Sequence, residues 1–282
     1  MADSFNGRAE NELHPVLSRP PVIPYCRELY KRRQLILAIP RNALRAQNMH
    51  TVLGNFWYLL NPALQTVVYF FVFGFLFDAN RGISNYLGYL VIGVLTFNVI
   101  GQALTSASRC IVNYQSLIRS LYFPRTAVPI ASGISNIYTF LPSILIFIFI
   151  AVLTGETPHL RWLFIPVALL ITCTWLFGLV FIFARLGRGI PDLHSLLPHV
   201  VRLLFYLSGT LFDPVVLVAN KTMLFFCNLN PFFQLLSMWR WILLGRPMLG
   251  WMWGSLIAWS ICTFILGFLY FWQAETNYGS ER

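Results

Sequence analysis

Charged residues are scarce in this chain. Asp, Glu, Lys and Arg make up 11% of its 282 residues, where a soluble globular protein carries about 25%. Hydrophobic residues make up 57% and aromatic residues 16%, a composition that excludes an ordinary water-soluble domain. The formal net charge is +10. Because the cations fall between long apolar runs, an anionic membrane face or an anionic lipid-linked substrate is expected as the partner rather than nucleic acid.

Lysine is rarer still, and the phosphate-binding loop of many ATPases is absent. That loop needs Gly-Lys followed by Ser or Thr, whereas the two lysines, Lys31 and Lys221, follow Tyr30 and Asn220. The chain cannot hydrolyse ATP by that route, so the energy for its function must come from elsewhere.

Carboxylates are also few, and no two of them are placed as a pair. Between residues 13 and 274 the chain has only Glu28, Asp78, Glu156, Asp192 and Asp213. A membrane glycosyltransferase or phosphotransferase normally presents two carboxylates for a metal ion or for general-base catalysis, so this class is disfavoured. His194 and His199 are poorly spaced for one helix face, and no metal site is predicted. The five cysteines lie singly in different segments, which disfavours a disulfide framework.

Six apolar runs are long enough to cross a membrane, since about 20 helical residues cover a hydrocarbon core of about 30 Å. The predicted spans are 56–77, 86–105, 128–153, 162–184, 196–212 and 251–272. The sequence therefore predicts an all-α polytopic protein. Its transmembrane domain, 51–272, would lie between a flexible tail at 1–22 and a C-terminal tail at 273–282. The first tail lacks the apolar centre of a signal peptide, so the first span is expected to be retained.

The distribution of cations predicts the orientation. Six spans place both termini on one side of the membrane, and that side carries fifteen Lys and Arg residues against five on the other. Because cytoplasmic segments are enriched in Lys and Arg, both termini are predicted to be cytoplasmic, in a protein of the inner (plasma) membrane.

Two regions do not fit a span. Segment 23–50 combines apolar residues with six cations, which predicts an amphipathic helix lying on the cytoplasmic membrane face and kinked at Pro40. Segment 214–250 is too apolar for a free external loop. It predicts short re-entrant helices that dip into the outer interface, with a turn at Asn230-Pro231.

Three predicted spans carry polar residues along one helix face. They are Tyr58, Asn61, Gln65 and Tyr69 in the first span, Asn98, Gln102, Thr105 and Arg109 in the second, and Ser195, His199, Arg202, Tyr206, Gly209 and Asp213 in the fifth. A buried group without a hydrogen-bond partner costs roughly 2 to 7 kcal/mol, so these faces should meet each other or water. Such faces would build a path for a hydroxyl-rich substrate. Hydrogen bonding between packed helices explains the same residues without transport, and contact with lipid phosphate explains Arg109 and Arg202.

Three groups of residues follow one order relative to the spans. They are Thr51, Leu53, Gly54, Trp57 and Pro62 at the first span; Asn113, Leu117, Ile118, Arg119, Phe123, Pro124, Arg125 and Pro129 after the second; and Asn230, Pro231 and Arg240 before the last. Through these residues the segment 41–271 resembles the transmembrane subunits of ABC-2 type exporters, specifically the Wzm-like permeases for lipid-linked polysaccharides. Thr51 replaces the family's usual Ser, and Pro191-Asp192 stands where many relatives have Arg-Asp.

The resemblance implies a pore of two copies of this chain, driven by two copies of a soluble ATPase subunit. ATP and its magnesium ion are expected on that subunit, and no cofactor is expected on this chain. Segment 114–122 is similar to the family's coupling helix, and segment 23–48 looks like its gate helix. The residues implied for ATPase coupling are Tyr114, Leu117, Ile118, Arg119 and Leu121, and those implied for the lipid pyrophosphate are Arg27, Arg32 and Arg33. An ordinary cytoplasmic loop and simple anchoring to anionic lipid stay open as alternatives for the two segments.

The expected function is therefore that of a permease subunit, not an enzyme. It would move a polyprenyl-linked glycan, such as an O-antigen, a galactan or a teichoic-acid-like polymer, out of the cytoplasm. The substrate channel is predicted at Tyr58, Asn61, Gln65, Tyr69, Asn98, Gln102, Phe205 and Tyr206, where flat aromatic faces would contact sugar rings. The alternatives are an ABC-2 exporter of drugs or small lipids, a membrane enzyme acting on a polyprenyl phosphate, and a channel or structural protein that needs no ATP.

Overall fold

A computed structural model describes residues 22–34, 36–40, 53–76, 83–120, 123–217 and 220–275. These ranges are helical with short connections and contain no strand. The predicted tail at 1–22, except its last residue, lies outside the described residues. The same holds for 41–50 of the predicted gate helix and for 276–282 of the C-terminal tail.

Eleven named helices follow one another in the described part of the chain. They are α1 (Val22–Lys31), α2 (Trp57–Tyr69), α3 (Tyr86–Asn113), α4 (Gln115–Ser120), α5 (Ala127–Leu153), α6 (Ile165–Gly189), α7 (Leu193–Leu207), α8 (Pro214–Leu217), α9 (Lys221–Leu229), α10 (Pro231–Leu244) and α11 (Gly250–Gln273). Residues 36–40 are also helical. Short 3-10 turns at Gly54–Phe56 and Leu160–Phe164 precede α2 and α6, and α2 continues into π-helical Phe70–Leu76.

Four helices of the described part are long and apolar enough to cross a membrane: α3, α5, α6 with its 3-10 turn, and α11. They correspond to the second, third, fourth and sixth predicted spans, so the described part of the chain is all-helical and has the helices of a multi-pass membrane protein. The first and fifth predicted spans fall on the shorter apolar helices α2 and α7. Helix α7 ends at Leu207, before the predicted 212. The reason is Gly209, whose φ of +64° is a left-handed conformation that cannot continue an α-helix.

Asparagine side chains mark the starts of three helices. Asn85 accepts a hydrogen bond from the Gly88 N–H at the start of α3 (2.9 Å), and Asn220 accepts one from Thr222 in α9. Asn230 caps α10 in the same way, with Pro231 at its first position. Each cap satisfies a backbone donor that a helix start leaves without an intrahelical partner. The predicted turn at Asn230-Pro231 thus separates two short helices, α9 and α10.

The helices pack around two clusters of buried apolar side chains. The main cluster surrounds α3, which contacts α5, α6, α7 and α10. The second cluster lies at the ends of α3, α6 and α11 that adjoin α1 and α4. Its larger members are Tyr25, Leu29, Ile36, Ile111, Ile118, Phe123, Phe181 and Phe271. The second cluster therefore joins the first described helix, the short helix α4 and the last helix of the chain.

Glycines set the closest helix contacts. A Cβ atom on Gly187 would overlap the backbone of Ser108, so the backbones of α6 and α3 touch there. A Cβ on Gly178 would lie 2.5 Å from the carbonyl carbon of Thr263, and one on Gly267 would overlap the backbone of Gly178. Small residues allow this kind of approach between membrane helices. Helices α6 and α11 are consequently in backbone contact over about one turn, from Thr263 to Gly267 on α11.

Candidate substrate cleft and coupling segment

A polar cleft of about 770 Å³ lies between α2, α3, α5 and α7. Helix α3 contributes Gln102, Thr105, Ser106, Arg109 and Asn113, which share one face at helical spacing. Helix α2 contributes Trp57 and Asn61 from the opposite wall, and α7 contributes His194. Two of the predicted channel residues, Asn61 and Gln102, therefore lie at the cleft, and both side chains are exposed.

A polar face on α5 completes the cleft, and the sequence analysis missed it. Ser132, Ser135, Asn136 and Thr139 line the cleft at spacings of i, i+3, i+4 and i+7. The Asn136 Nδ2 donates to the Ser106 Oγ at 3.1 Å, which ties α5 to α3 at the cleft. The signal was present as this spacing, but small hydroxyl side chains inside a strongly apolar run change its hydropathy little.

Other predicted channel residues bond to each other between α2 and α3. The Asn98 Nδ2 donates to the Gln65 Oε1 at 3.1 Å, and the Gln65 Nε2 donates to the Tyr69 hydroxyl at 2.9 Å. None of the three lines the cleft. In this conformation the three side chains are hydrogen-bonded to one another. This is the arrangement expected if they hold packed helices together without a role in transport.

The aromatic residues predicted for the channel form a separate group beside the cleft. The Phe205 ring is buried, with its centroid 5.4 Å from those of Tyr69 and Phe97. Tyr206 packs edge-on against Phe205 at 5.5 Å and is partly exposed. Tyr58 belongs to α2, and its side chain lies outside the described part of the structure.

Helix α1 has one buried face and one exposed face. Tyr25 and Leu29 are buried in the second cluster, whereas the predicted gate residues Arg27, Arg32 and Arg33 are exposed. The exposed cations remain accessible to an anionic group, as the sequence analysis requires of a gate helix or a lipid anchor.

The predicted coupling segment forms the short helix α4 directly after α3. Tyr114 lines the cleft, and Leu117 is partly buried against the second cluster. Ile118 is 6% exposed and belongs to that cluster, where its side chain anchors α4 within the chain. The Arg119 side chain and the whole of Leu121 lie outside the described residues.

A buried polar group joins α1 to the segment after α4 and to the end of α11. The Tyr25 hydroxyl donates to the Glu275 Oε2 at 2.8 Å and lies 2.6 Å from the Thr126 Oγ1. The Arg125 backbone N–H donates to the Glu275 Oε1 at 2.8 Å. Burial raises the pKa of the Glu275 carboxyl, opposed by the Arg125 and Tyr25 hydrogen bonds, and burial likewise raises the pKa of Tyr25. The sequence analysis missed this group because 250 residues separate Tyr25 from Glu275.

Arg240, one of the residues that carry the family resemblance, lies near the start of α3 and supports the surrounding backbone. Its guanidinium is buried and donates to the carbonyl oxygens of Gly209 (3.0 Å), Thr210 (3.1 Å) and Tyr89 (3.3 Å). Nearby, Arg246 and Asp213 form an ion pair of 2.7 Å. These contacts hold the segment that follows α7.

Comparison with known proteins identifies the family that this chain matches. A sequence model of that family, described as ABC-2 type transporter, matches residues 42–244. The O-antigen export system permease protein RfbA of Myxococcus xanthus is 24% identical over 219 residues, which is 78% of this chain and 84% of that protein. Two proteins of the same name from Klebsiella pneumoniae are each 24% identical and cover 73% of this chain and 78% of their own length. The resemblance indicated by the sequence motifs is thus confirmed.

Proposed function

Because the chain belongs to the ABC-2 type transporter family, we propose that it is the permease subunit of an exporter for a lipid-linked polysaccharide. The relatives named for O-antigen export support this cargo. The observation that carries the proposal is the polar cleft formed by α2, α3, α5 and α7. Energy would come from a separate ATPase subunit that binds ATP and magnesium.

The side chains of the cleft favour a glycan over a drug. Drug-sized ligands bind mostly in apolar and aromatic pockets with a few polar groups. Here the walls from α3 and α5 present hydroxyl and amide groups, among them Gln102, Thr105, Ser135 and Thr139. The Thr105, Ser135 and Thr139 hydroxyls donate to backbone carbonyls of their own helices and can still accept from sugar hydroxyls, while the Gln102 amide can both donate and accept. Arg109 at the same cleft provides a cation for the phosphate of a lipid-linked glycan.

The assembly consists of two copies of the permease with two copies of the ATPase subunit, in the inner membrane. Six spans place both termini in the cytoplasm, with α2 and α7 as the first and fifth spans and with α9 and α10 as re-entrant helices on the outer side. Closure of the ATPase dimer on ATP would move α4, which directly follows α3. Since α3 forms one wall of the cleft, that movement would change the width of the path.

A pair of tryptophan variants tests the assignment of the cleft. Ser135 lines the cleft, whereas Ala258 is exposed on α11. In cells that depend on this exporter, S135W is expected to obstruct the path, so that lipid-linked glycan accumulates in the cytoplasmic leaflet while the ATPase subunit still co-purifies. The matched change A258W is expected to leave export unchanged.

Three outcomes would contradict the proposal. The first is normal glycan export in the S135W strain. The second is turnover of a polyprenyl-phosphate donor by the purified permease without an ATPase, which would favour the enzyme alternative. The third is transport into vesicles that contain the permease alone, which would favour a channel.

A further inference from the structure

We propose that Tyr25, Thr126 and Glu275 form a joint through which movement of the coupling segment reaches helix α1. The inference rests on the proposed function, because it assigns a role in transport to a contact outside the segment that the family model matches. The family match spans residues 42–244, so both Tyr25 and Glu275 lie outside it.

The donors and acceptors of the joint are fully matched. The Tyr25 hydroxyl gives its proton to the Glu275 Oε2 and accepts from the Thr126 backbone N–H at 3.1 Å. Its oxygen is also 2.6 Å from the Thr126 Oγ1, whose own proton is then available to it. The second carboxylate oxygen of Glu275 accepts the Arg125 N–H. The Arg125 guanidinium also donates to the backbone carbonyl of Glu275.

The joint connects three parts of the chain that are far apart in sequence. Tyr25 is in α1, Thr126 immediately precedes α5, and Glu275 follows α11. Ile118 of α4 and Phe123, three residues before Thr126, are buried in the same cluster, and through this packing a displacement of α4 would reach Thr126. Each of the three side chains is more than nine-tenths buried, so water does not take the place of a lost partner at low cost.

The surrounding second cluster strengthens the connection. Leu29 of α1 belongs to this cluster with Ile118 of α4, Phe123 ahead of α5, and Phe271 of α11. Hydrogen bonds in such an apolar environment are stronger than in water, and an unpaired member is correspondingly unfavourable. Helix α1 is therefore expected to follow Thr126 rather than separate from it. The exposed cations Arg27, within α1, and Arg32 and Arg33, directly after it, would move with it.

The first test compares two tyrosines of α1 in the complete complex of permease and ATPase in proteoliposomes. Y25F removes the central hydroxyl, whereas Y30F changes an exposed side chain that is 68% accessible. For Y25F we expect co-purification of the ATPase and ATP hydrolysis to stay within about twofold of wild type. Glycan export should fall at least about fivefold, the factor that corresponds to a single hydrogen bond, because Y25F removes more than one. Y30F should match wild type in all three measurements.

Rescue by a conservative change separates a transmitting role from simple packing. In E275Q the amide oxygen can accept the Arg125 N–H, and the amide nitrogen can donate to the Tyr25 oxygen, whose proton then goes to Thr126. Export by E275Q is therefore expected to stay near wild type, whereas E275A should lose export with retained ATP hydrolysis. Parallel loss of ATPase binding, hydrolysis and export in Y25F would overturn the inference and leave the group a purely structural role.

A measurement on the permease alone distinguishes failure of the inference from failure of the proposed function. Hydrogen–deuterium exchange in detergent should accelerate in 22–34 and 123–130 for Y25F, but not for Y30F. Undiminished export by Y25F despite that acceleration would overturn the joint and leave the proposed function intact. If the wild-type permease binds no ATPase subunit, the proposed function falls, and the transmitting role of the joint falls with it.

Discussion

The guanidinium carbon of Arg240 lies 3.3 Å from the ring centroid of Tyr89, and both residues hold the backbone that follows α7. Arg240 donates to the carbonyl oxygens of Gly209 and Thr210. The Tyr89 hydroxyl lies 2.8 Å and 2.9 Å from the carbonyl oxygens of Gly209 and Phe212. Carbonyl groups at the end of a helix need such donors when water does not reach them.

Replacement of Arg240 should therefore destabilise the fold. R240M leaves the carbonyls of Gly209 and Thr210 without this donor, and we expect a loss of at least about 2 kcal/mol in the free energy of unfolding. R240K should lie between R240M and wild type because an ammonium group lacks the planar fork of donors. The midpoint of thermal unfolding in detergent measures the effect. The control R202M changes an exposed arginine on α7 and is expected to leave that midpoint unchanged.

A second prediction concerns the contact between α3 and α6. A Cβ atom at Gly187 would overlap the Ser108 backbone, whereas a Cβ at Gly189 would meet no atom within 4 Å. G187A should force the two helices apart and lower the yield of folded protein, which size-exclusion chromatography after detergent extraction measures. G189A, two residues further along α6, should give a normal yield. Equal yields for the two variants would show that α3 and α6 are not in backbone contact.

A third prediction separates the two kinds of glutamine on the polar faces. Gln102 is exposed at the cleft, while Gln65 bonds to Tyr69 and Asn98. Q102L should lower glycan export with little change in thermal stability. Q65L should lower the free energy of unfolding by about 1 kcal/mol, because it leaves the Asn98 amide without an acceptor. Export assays and thermal unfolding of both variants test this division. A reversed pattern would mean that the path follows Gln65 instead of the cleft.

A fourth prediction concerns pH. Burial raises the pKa of Glu275 in the folded chain above its usual value of 4.5. The folded state therefore binds the proton more tightly than the unfolded state. The stability due to this carboxyl is fully present below the unfolded pKa and is lost as the pH rises through the folded pKa. E275Q does not titrate, so the unfolding midpoint of wild type minus that of E275Q should decrease across this interval. A difference that increases with pH would contradict the raised pKa.

Local sequence features predicted much of the fold. Length and hydropathy alone located α3, α5, α6 and α11, and the turn at Asn230-Pro231 was predicted from residue type. The end of α7 was placed too late, because its stop depends on a left-handed glycine and on a distant arginine. Contacts of this kind join residues that are far apart in the chain, and periodicity carries no information about them.

The candidate site was predicted only in part for the same reason. Helical spacing located Asn61 and Gln102, which lie at the cleft, but could not distinguish them from Gln65, whose partner belongs to another helix. The face of α5 with Ser135 and Asn136 was missed because the apolar residues around it dominate the hydropathy. Tyr25 and Glu275 come together only through the packing of the first and last described helices.

The glycine contacts between α6 and α11 have a mechanical consequence. At Gly178 and Gly267 the two backbones touch, and this close packing resists sliding of one helix past the other. We therefore expect α6 and α11 to move as one rigid pair. Helix α2 contacts α3 through a hydrogen bond between the side-chain amides of Gln65 and Asn98. If α2 moves, this hydrogen bond can be replaced by another of similar energy. Widening the path for a bulky polymer therefore needs the least energy when α2 moves. The α6–α11 pair stays in place while α2 is displaced relative to it.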